Sequence, residues 1–193
     1  MLYMLMEILI AQLLLIPVFV LLNNRRFHCA GKAVRYYVFA AYLSAVYLFV
    51  GLPTVLFLRF ELSLTLLPFL PMLADVRNTL LNILLFFPLG ILFPCLWARY
   101  RSLKRTLLFG FGLSASIELL QILTYRATDI NDIIANTLGA ALGYLAFRLL
   151  SPRMSQISYL SGDVRELPLI FLSVFSVMFF LQPCLAALFY TIT

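Results

Sequence analysis

The sequence is short of charge. Of its 193 residues only 11% are charged, 14 Lys and Arg against 8 Asp and Glu, where a soluble domain carries roughly a quarter. That shortage argues against an ordinary soluble domain. Histidine is nearly absent, with His28 alone, and the three cysteines, Cys29, Cys95 and Cys184, are far apart with no CxxC spacing. No His/Cys metal cluster can be assembled from this inventory, and the cysteines read as small apolar packers. No metal and no cofactor is expected. The net charge of +6 does not indicate nucleic acid, because the basic residues sit in short loops between apolar runs rather than on a soluble face.

What is abundant is apolar sequence, 64% of the chain, in runs of about 20 residues, the length that crosses a bilayer. The expected fold is all-α, a polytopic transmembrane helical bundle of about six spans. The runs are Leu2 to Leu22, Val34 to Leu58 with a kink at Gly51 and Pro53, Thr79 to Trp97, Leu103 to Thr124, about Asp132 to Leu150, and Leu167 to Tyr190. The first has no basic segment before it and no A-x-A site after it, so it reads as a retained helix rather than a signal peptide. Phe60 to Arg77 is apolar but broken by Pro68 and Pro71, which suits an interfacial or re-entrant segment. Residues 1–35 form a first helix and basic loop, 36–150 a core, and 151–193 a polar linker, Ser151 to Glu166, with a last helix.

Eleven of the 14 basic residues fall in alternate loops: Arg25, Arg26, Lys32 and Arg35; Arg99, Arg101, Lys104 and Arg105; Arg148, Arg153 and Arg165. The positive-inside rule puts these in the cytoplasm and both termini outside. Tyr36, Tyr37, Trp97 and Tyr100 are then inner interface anchors, and Tyr3, Tyr125 and Tyr190 outer ones. The acids run the other way. Glu7, Glu61, Asp75, Glu118, Asp129 and Asp132 all belong to the outer half, and insertion rules do not explain that skew.

Small residues suggest that the Leu103–Thr124 helix and the Asp132–Leu150 helix pair closely, through Gly110, Gly112, Ser114 and Ser116 on one and Ala135, Gly139 and Gly143 on the other. Ser114, Glu118, Gln121 and Tyr125 form one helical stripe, and Asp129, Asp132 and Asn136 another. Glu118 lies roughly 12 Å below the end of its helix, at about 1.5 Å per residue. A carboxylate at that depth is costly unless paired or hydrated. Asn78 and Asn82 add two amides to the same end, with Arg77 and Arg126 at the rim. If these faces converge they make a wet, acidic pocket open to the outside. Two plainer readings stand beside it. Glu118 pairs with Arg77 or Arg126 to hold the bundle, and Asp129, Asp132 or Asn131 serve as helix caps. Gln12 and Gln182 read as interhelical hydrogen bonders, and Glu7 as a residue that reaches water at a helix end.

The stretch Arg77 to Gly90 (RNTLLNILLFFPLG), followed by Ser116 to Gln121 (SIELLQ) and Arg126 to Gly139 (RATDINDIIANTLG), resembles the VanZ-like membrane proteins. Leu64 to Phe69 is similar to that family's Asn-Leu-Ile-Pro-Phe element, with Thr65 in place of the Asn. Thr128 stands where an aromatic is common and Asn131 where an Asp is common. The resemblance covers about residues 36 to 150. It implies a protein of the bacterial cytoplasmic membrane, linked to the cell envelope, in a family whose namesake is associated with low-level resistance to the glycopeptide teicoplanin.

Three functions are consistent with these residues. The first is binding, at the outer leaflet, of an amphiphilic molecule such as a lipid-linked cell-wall precursor or a lipoglycopeptide, with the Pro68/Pro71 segment as a lid. Its ligand-binding residues would be Arg77, Asn78, Asn82, Glu118, Gln121, Arg126, Asp129, Asp132 and Asn136, with membrane lipids as the other partners and no nucleic acid. The second is a membrane enzyme acting on an envelope lipid, with Glu118 or Asp132 as general base and a divalent ion on Glu118, Asp129 and Asp132 as a weak option. No conventional nucleophile with a paired base is present in the sequence, which weighs against it. The third, a transporter, lacks an evident repeat and polar groups on both sides.

Overall fold

The computed structural model describes residues 2–60, 63–65, 67–124, 128–151 and 162–192. Glu61, Tyr125, Arg126 and most of the Ser151–Glu166 linker therefore lie outside the described residues. The described residues are all-α apart from one pair of two-residue strands. The chain divides into two compact units, residues 1–58 with 165–193, and residues 59–164. Among the described residues, four helical runs are long and apolar enough to cross a membrane: Tyr3–Phe27, Val76–Leu96, Ile130–Leu150 and Val164–Thr191. The other two long helices, Ala30–Phe49 and Leu103–Gln121, carry more polar residues and fall short of that standard.

Outward faces support the membrane reading. On α1 (Leu2–Leu22) the buried side is Ala11, Leu15 and Phe19, while Leu5, Leu9, Leu13, Ile16 and Val20 point outward. A soluble helix would present polar groups there. The same holds for Leu138, Leu142, Leu145 and Leu149 of the helix Ile130–Leu150.

The first unit consists of α1, α2 (Ala30–Phe49) and the C-terminal helical run. Helix α2 stops at Phe49, so the expected kink at Gly51 and Pro53 is instead a helix end. Gly51 adopts a φ of 63°. That conformation, which glycine adopts without a Cβ penalty, lets Gly51 N–H reach Leu48 O at 3.2 Å and Leu52 N–H reach Tyr47 O at 3.2 Å, the two bonds of a Schellman motif. Gln12 Nε2 donates to Ser44 Oγ at 2.9 Å between α1 and α2. At the basic end, Lys32 Nζ and Tyr36 Oη both donate to the carboxylate of Glu166, each at 2.6 Å. Tyr36 is thus buried, 1% exposed, rather than an exposed interface anchor. Cys29 and Cys184 are exposed and free, so they are not the packers expected of them.

The last apolar run is not one continuous α-helix. A π-helical turn, Val177–Leu181, separates α7 (Leu167–Ser176) from α8 (Gln182–Ile192). Proline leaves one carbonyl of that turn free for another donor. Pro183 has no N–H, so the carbonyl four residues back, Phe179 O, lacks its helical donor. It accepts Val55 N–H instead, at 2.9 Å, which ties the segment after α2 to the C-terminal run.

The second unit is a three-helix core. It comprises α4 (Val76–Leu96), α5 (Leu103–Gln121) and α6 (Ile130–Leu150), with β1 (Leu64–Thr65), α3 (Leu70–Ala74) and β2 (Thr128–Asp129) at one end. The two strands are parallel, with Leu64 beside Thr128 and Thr65 beside Asp129. Helices α4 and α6 run parallel, and α5 lies antiparallel to both. The glycines of α6 meet α4, not α5 as their spacing suggests. A Cβ on Gly139 would overlap Ile83 O, and one on Gly143 would overlap Phe87 O and sit 3.0 Å from the Cα of Gly90. Gly90 meets the Ala140 carbonyl in the same way. The two backbones touch, with glycine Cα–H groups directed at carbonyls of the facing helix. Helix α5 is held less closely. Gly110 faces Ala140, at 3.0 Å from a Cβ placed on it, and Gly112 has nothing within 4 Å. At the far end Phe93 stacks on Phe109 at 3.9 Å, and the fully buried Trp97 donates its Nε1–H to Asp163 O at 3.2 Å.

Candidate functional site

Because α4 and α6 are parallel, both of their N-termini lie at one end of the unit. Each is capped by an aspartate. Asp75 Oδ1 accepts from Asn78 N–H at 3.0 Å, and Asp129 Oδ1 accepts from Asn131 N–H at 2.8 Å. Two helix dipoles present their positive ends together, which favours carboxylates there. Part of the acidic skew in the sequence has this structural origin.

The remaining acids do more than cap. Asp132, in the first turn of α6, takes Asn82 Nδ2 at 2.6 Å and Asn78 Nδ2 at 3.4 Å on the same oxygen, Oδ1. The i, i+4 amides of α4 thus converge on one carboxylate. Glu118 of α5 is 2% exposed. Its Oε2 accepts the backbone N–H of Asp129 at 2.9 Å, and its own carbonyl accepts Thr128 Oγ1–H at 3.0 Å. Deeper in, Asn136 Nδ2 donates to Ser114 Oγ at 2.9 Å, with both residues buried. The other amide atom, Asn136 Oδ1, is buried without a hydrogen-bond partner among the described residues. Gln121 is also buried, 5% exposed.

Asp132 and Asn136 share a helical stripe yet part company. The stripe points into the seam between α4 and α5, so Asp132 reaches α4 while Asn136 reaches α5. Asp129 is spent on its cap and, through Asn131 Nδ2 at 2.7 Å, on its neighbour. Glu118, Asp129 and Asp132 are not brought together as a metal-holding group among the described residues. Arg77 is exposed beside the Asp75 cap. Arg126, the other rim residue, lies outside the described residues.

Asn131 carries more than a capping role. It is 4% exposed. Its Nδ2 donates to Leu67 O at 2.9 Å and its Oδ1 accepts Phe69 N–H at 2.8 Å. One amide side chain therefore pins the segment on either side of Pro68 against the start of α6. The only hint in the sequence is an amide between two acidic positions. The pinned segment is strained: Phe69 has a φ of 67°, uncommon for a bulky residue. It is also apolar and outward-facing, with Leu67, Phe69 and Leu73 exposed. Polar groups buried at the helix ends thus stand next to an exposed greasy strap.

The family model described as VanZ/LLP1 matches residues 13–151. Over 95 residues the chain is 34% identical to Protein VanZ of Enterococcus faecium, a match covering 49% of this chain and 58% of that protein. The chain thus spans little more than half the length of that curated relative. No solved structure matches. The matched range includes α2 and the whole α4–α6 core, and the chain belongs to the VanZ/LLP1 family.

Proposed function

We propose that this is a six-span protein of the bacterial cytoplasmic membrane with both termini outside, and that its polar end binds the head of an amphiphilic or lipid-linked envelope molecule at the outer leaflet. The remaining two spans are α2 and α5, whose 20 and 19 residues reach about 30 Å at 1.5 Å per residue. The observation that carries the binding role is the juxtaposition at the ends of α4 and α6. Hydrogen-bonded Glu118 and Asp132 lie beside the exposed Leu67, Phe69 and Leu73. A ligand with a polar head and an acyl tail needs both surfaces at once. Arg77 and Arg126 would take a phosphate or carboxylate, Asn78, Asn82 and the acids would take hydroxyl or amine groups, and the strap would cover the tail.

A lipoglycopeptide such as teicoplanin has this build, and similarity to Protein VanZ supports a contribution to resistance. Expression in a susceptible host should raise tolerance of teicoplanin and leave vancomycin, which lacks the acyl tail, unaffected. Asp132→Ala should abolish the rise at equal membrane abundance. Unchanged susceptibility to both drugs would remove the resistance role. The alternative, a membrane enzyme using Glu118 or Asp132, draws on Glu118 being a buried carboxylate reached by a backbone donor. It would displace the binding reading if purified protein turned over an envelope lipid and Glu118→Gln stopped it.

A further inference from the structure

The first unit contains a cavity of about 360 Å³ between α1, the end of α2 and α8. It has no part in the site described above. Its walls are mostly apolar, but Glu7, Thr54, Gln182 and Tyr190 also line it. Glu7, the one charged residue of α1, sits in the second turn of a largely apolar helix, where a carboxylate is costly unless something answers it. It is half-buried and has no hydrogen bond or ion pair among the described residues. Gln182 is 3% exposed and its side chain likewise has no hydrogen-bond partner among them, so it does not join helices as its position suggests. Tyr47, by contrast, spends its hydroxyl on Pro53 O. The cavity therefore gathers a carboxylate and a buried amide that the described residues leave unused.

We propose that this cavity binds a primary ammonium group. The charge arithmetic asks for one positive charge, because Glu7 is the one carboxylate among the described lining residues. A divalent metal is a poor fit, since no group of three or more His, Cys, Asp or Glu exists among the described residues and such ions want several anionic or carbonyl oxygens. An ammonium has three N–H donors. The lining offers three acceptors, the Glu7 carboxylate, the Gln182 amide oxygen and the Thr54 hydroxyl, with the Tyr190 ring available to the cation's outer face. Leu52, Pro183 and Ala186 supply apolar wall for the attached methylenes. Ammonium of this kind comes from an aminoalkyl lipid headgroup or from a free small amine.

The test uses the purified full-length protein in detergent, titrated with ethanolamine, lysophosphatidylethanolamine and lysophosphatidylcholine, with thermal stability as the readout. Lysophosphatidylethanolamine should stabilise the protein, and the quaternary lysophosphatidylcholine should not, because it has no N–H to donate. Stabilisation by ethanolamine as well identifies a free-amine site, and stabilisation by the lipid alone identifies a headgroup site. Glu7→Gln should weaken binding by about tenfold or more, the scale of a lost charge-assisted contact. Ala186→Leu, which fills the cavity without touching its charge, should do the same. Equal response to the choline and ethanolamine lipids, no response to either amine, or undiminished binding in folded Glu7→Gln overturns the proposal. The wild-type comparison stands even if a variant fails to fold.

Discussion

The two units hold their helices together by different means. In the α4–α6 unit the closest contact is backbone on backbone. Gly90, Gly139 and Gly143 leave the seam without side chains at its tightest points, and carbonyls of one helix approach the Cα atoms of the other. In the first unit no such seam is present among the described residues. Polar side chains span the gaps instead, Gln12 to Ser44 and Lys32 and Tyr36 to Glu166. A side-chain bridge tolerates adjustment because it has rotamers to spare. A backbone seam does not, so it fixes the relative position of α4 and α6 and with it the geometry at their N-termini. The rigid unit is the one that carries the candidate site.

That contrast can be broken most severely at Gly143. Gly143→Leu forces a side chain into the Phe87 carbonyl and should cost about 3 kcal/mol or more, enough to deplete the folded protein in a denaturation titration. A cost under about 1 kcal/mol would mean the seam is not closed. Next comes Asn82→Leu, which strips the 2.6 Å amide donor from Asp132. About 1–2 kcal/mol is expected, together with loss of whatever ligand response Asp132→Ala loses. Glu166→Gln removes the Lys32–Glu166 ion pair, whose side chains are 23% and 15% exposed. Being near the surface it should cost about 1 kcal/mol at low salt and less at high salt. Salt-independent destabilisation would assign the effect to the Tyr36 hydrogen bond instead. The smallest effect belongs to Gly112, which has open space around it. Gly112→Ala should leave stability unchanged or raise it by about 0.5 kcal/mol, and a large loss there would show that α5 is packed as tightly as α6.

The elements are largely legible in the sequence. The run Leu2 to Leu22 is α1 residue for residue, and the runs around α4 and α6 lie within a few residues of the helix ends. Apolar length decides these locally, and Pro17, Pro88 and Pro94 lie inside the helices rather than ending them. The end of α2 is not legible, because a glycine and a proline after an apolar run fit a kink as well as a cap. Only the bonds that Gly51 N–H and Leu52 N–H make distinguish the two. The glycine spacing of α6 does mark a contact surface, but the partner is α4 and not the expected α5. A GxxxG stripe says that something approaches and not which helix does. The pinning role of Asn131 is hidden because its partners, Leu67 O and Phe69 N–H, belong to a segment more than 60 residues away in sequence.

By itself, then, the sequence determined that the chain is apolar and helical, with acids gathered near the ends of particular helices, because those properties depend on composition and on residues a few positions apart. Only the tertiary structure decided that α4 and α6 run parallel, that their caps and dipoles meet at one end, that Asp132 turns to α4 while Asn136 turns to α5, and that Glu7 and Gln182 share a cavity. Those outcomes depend on which backbones can approach and which side chains then find partners. Such choices are made between segments distant along the chain, where local pattern carries no information.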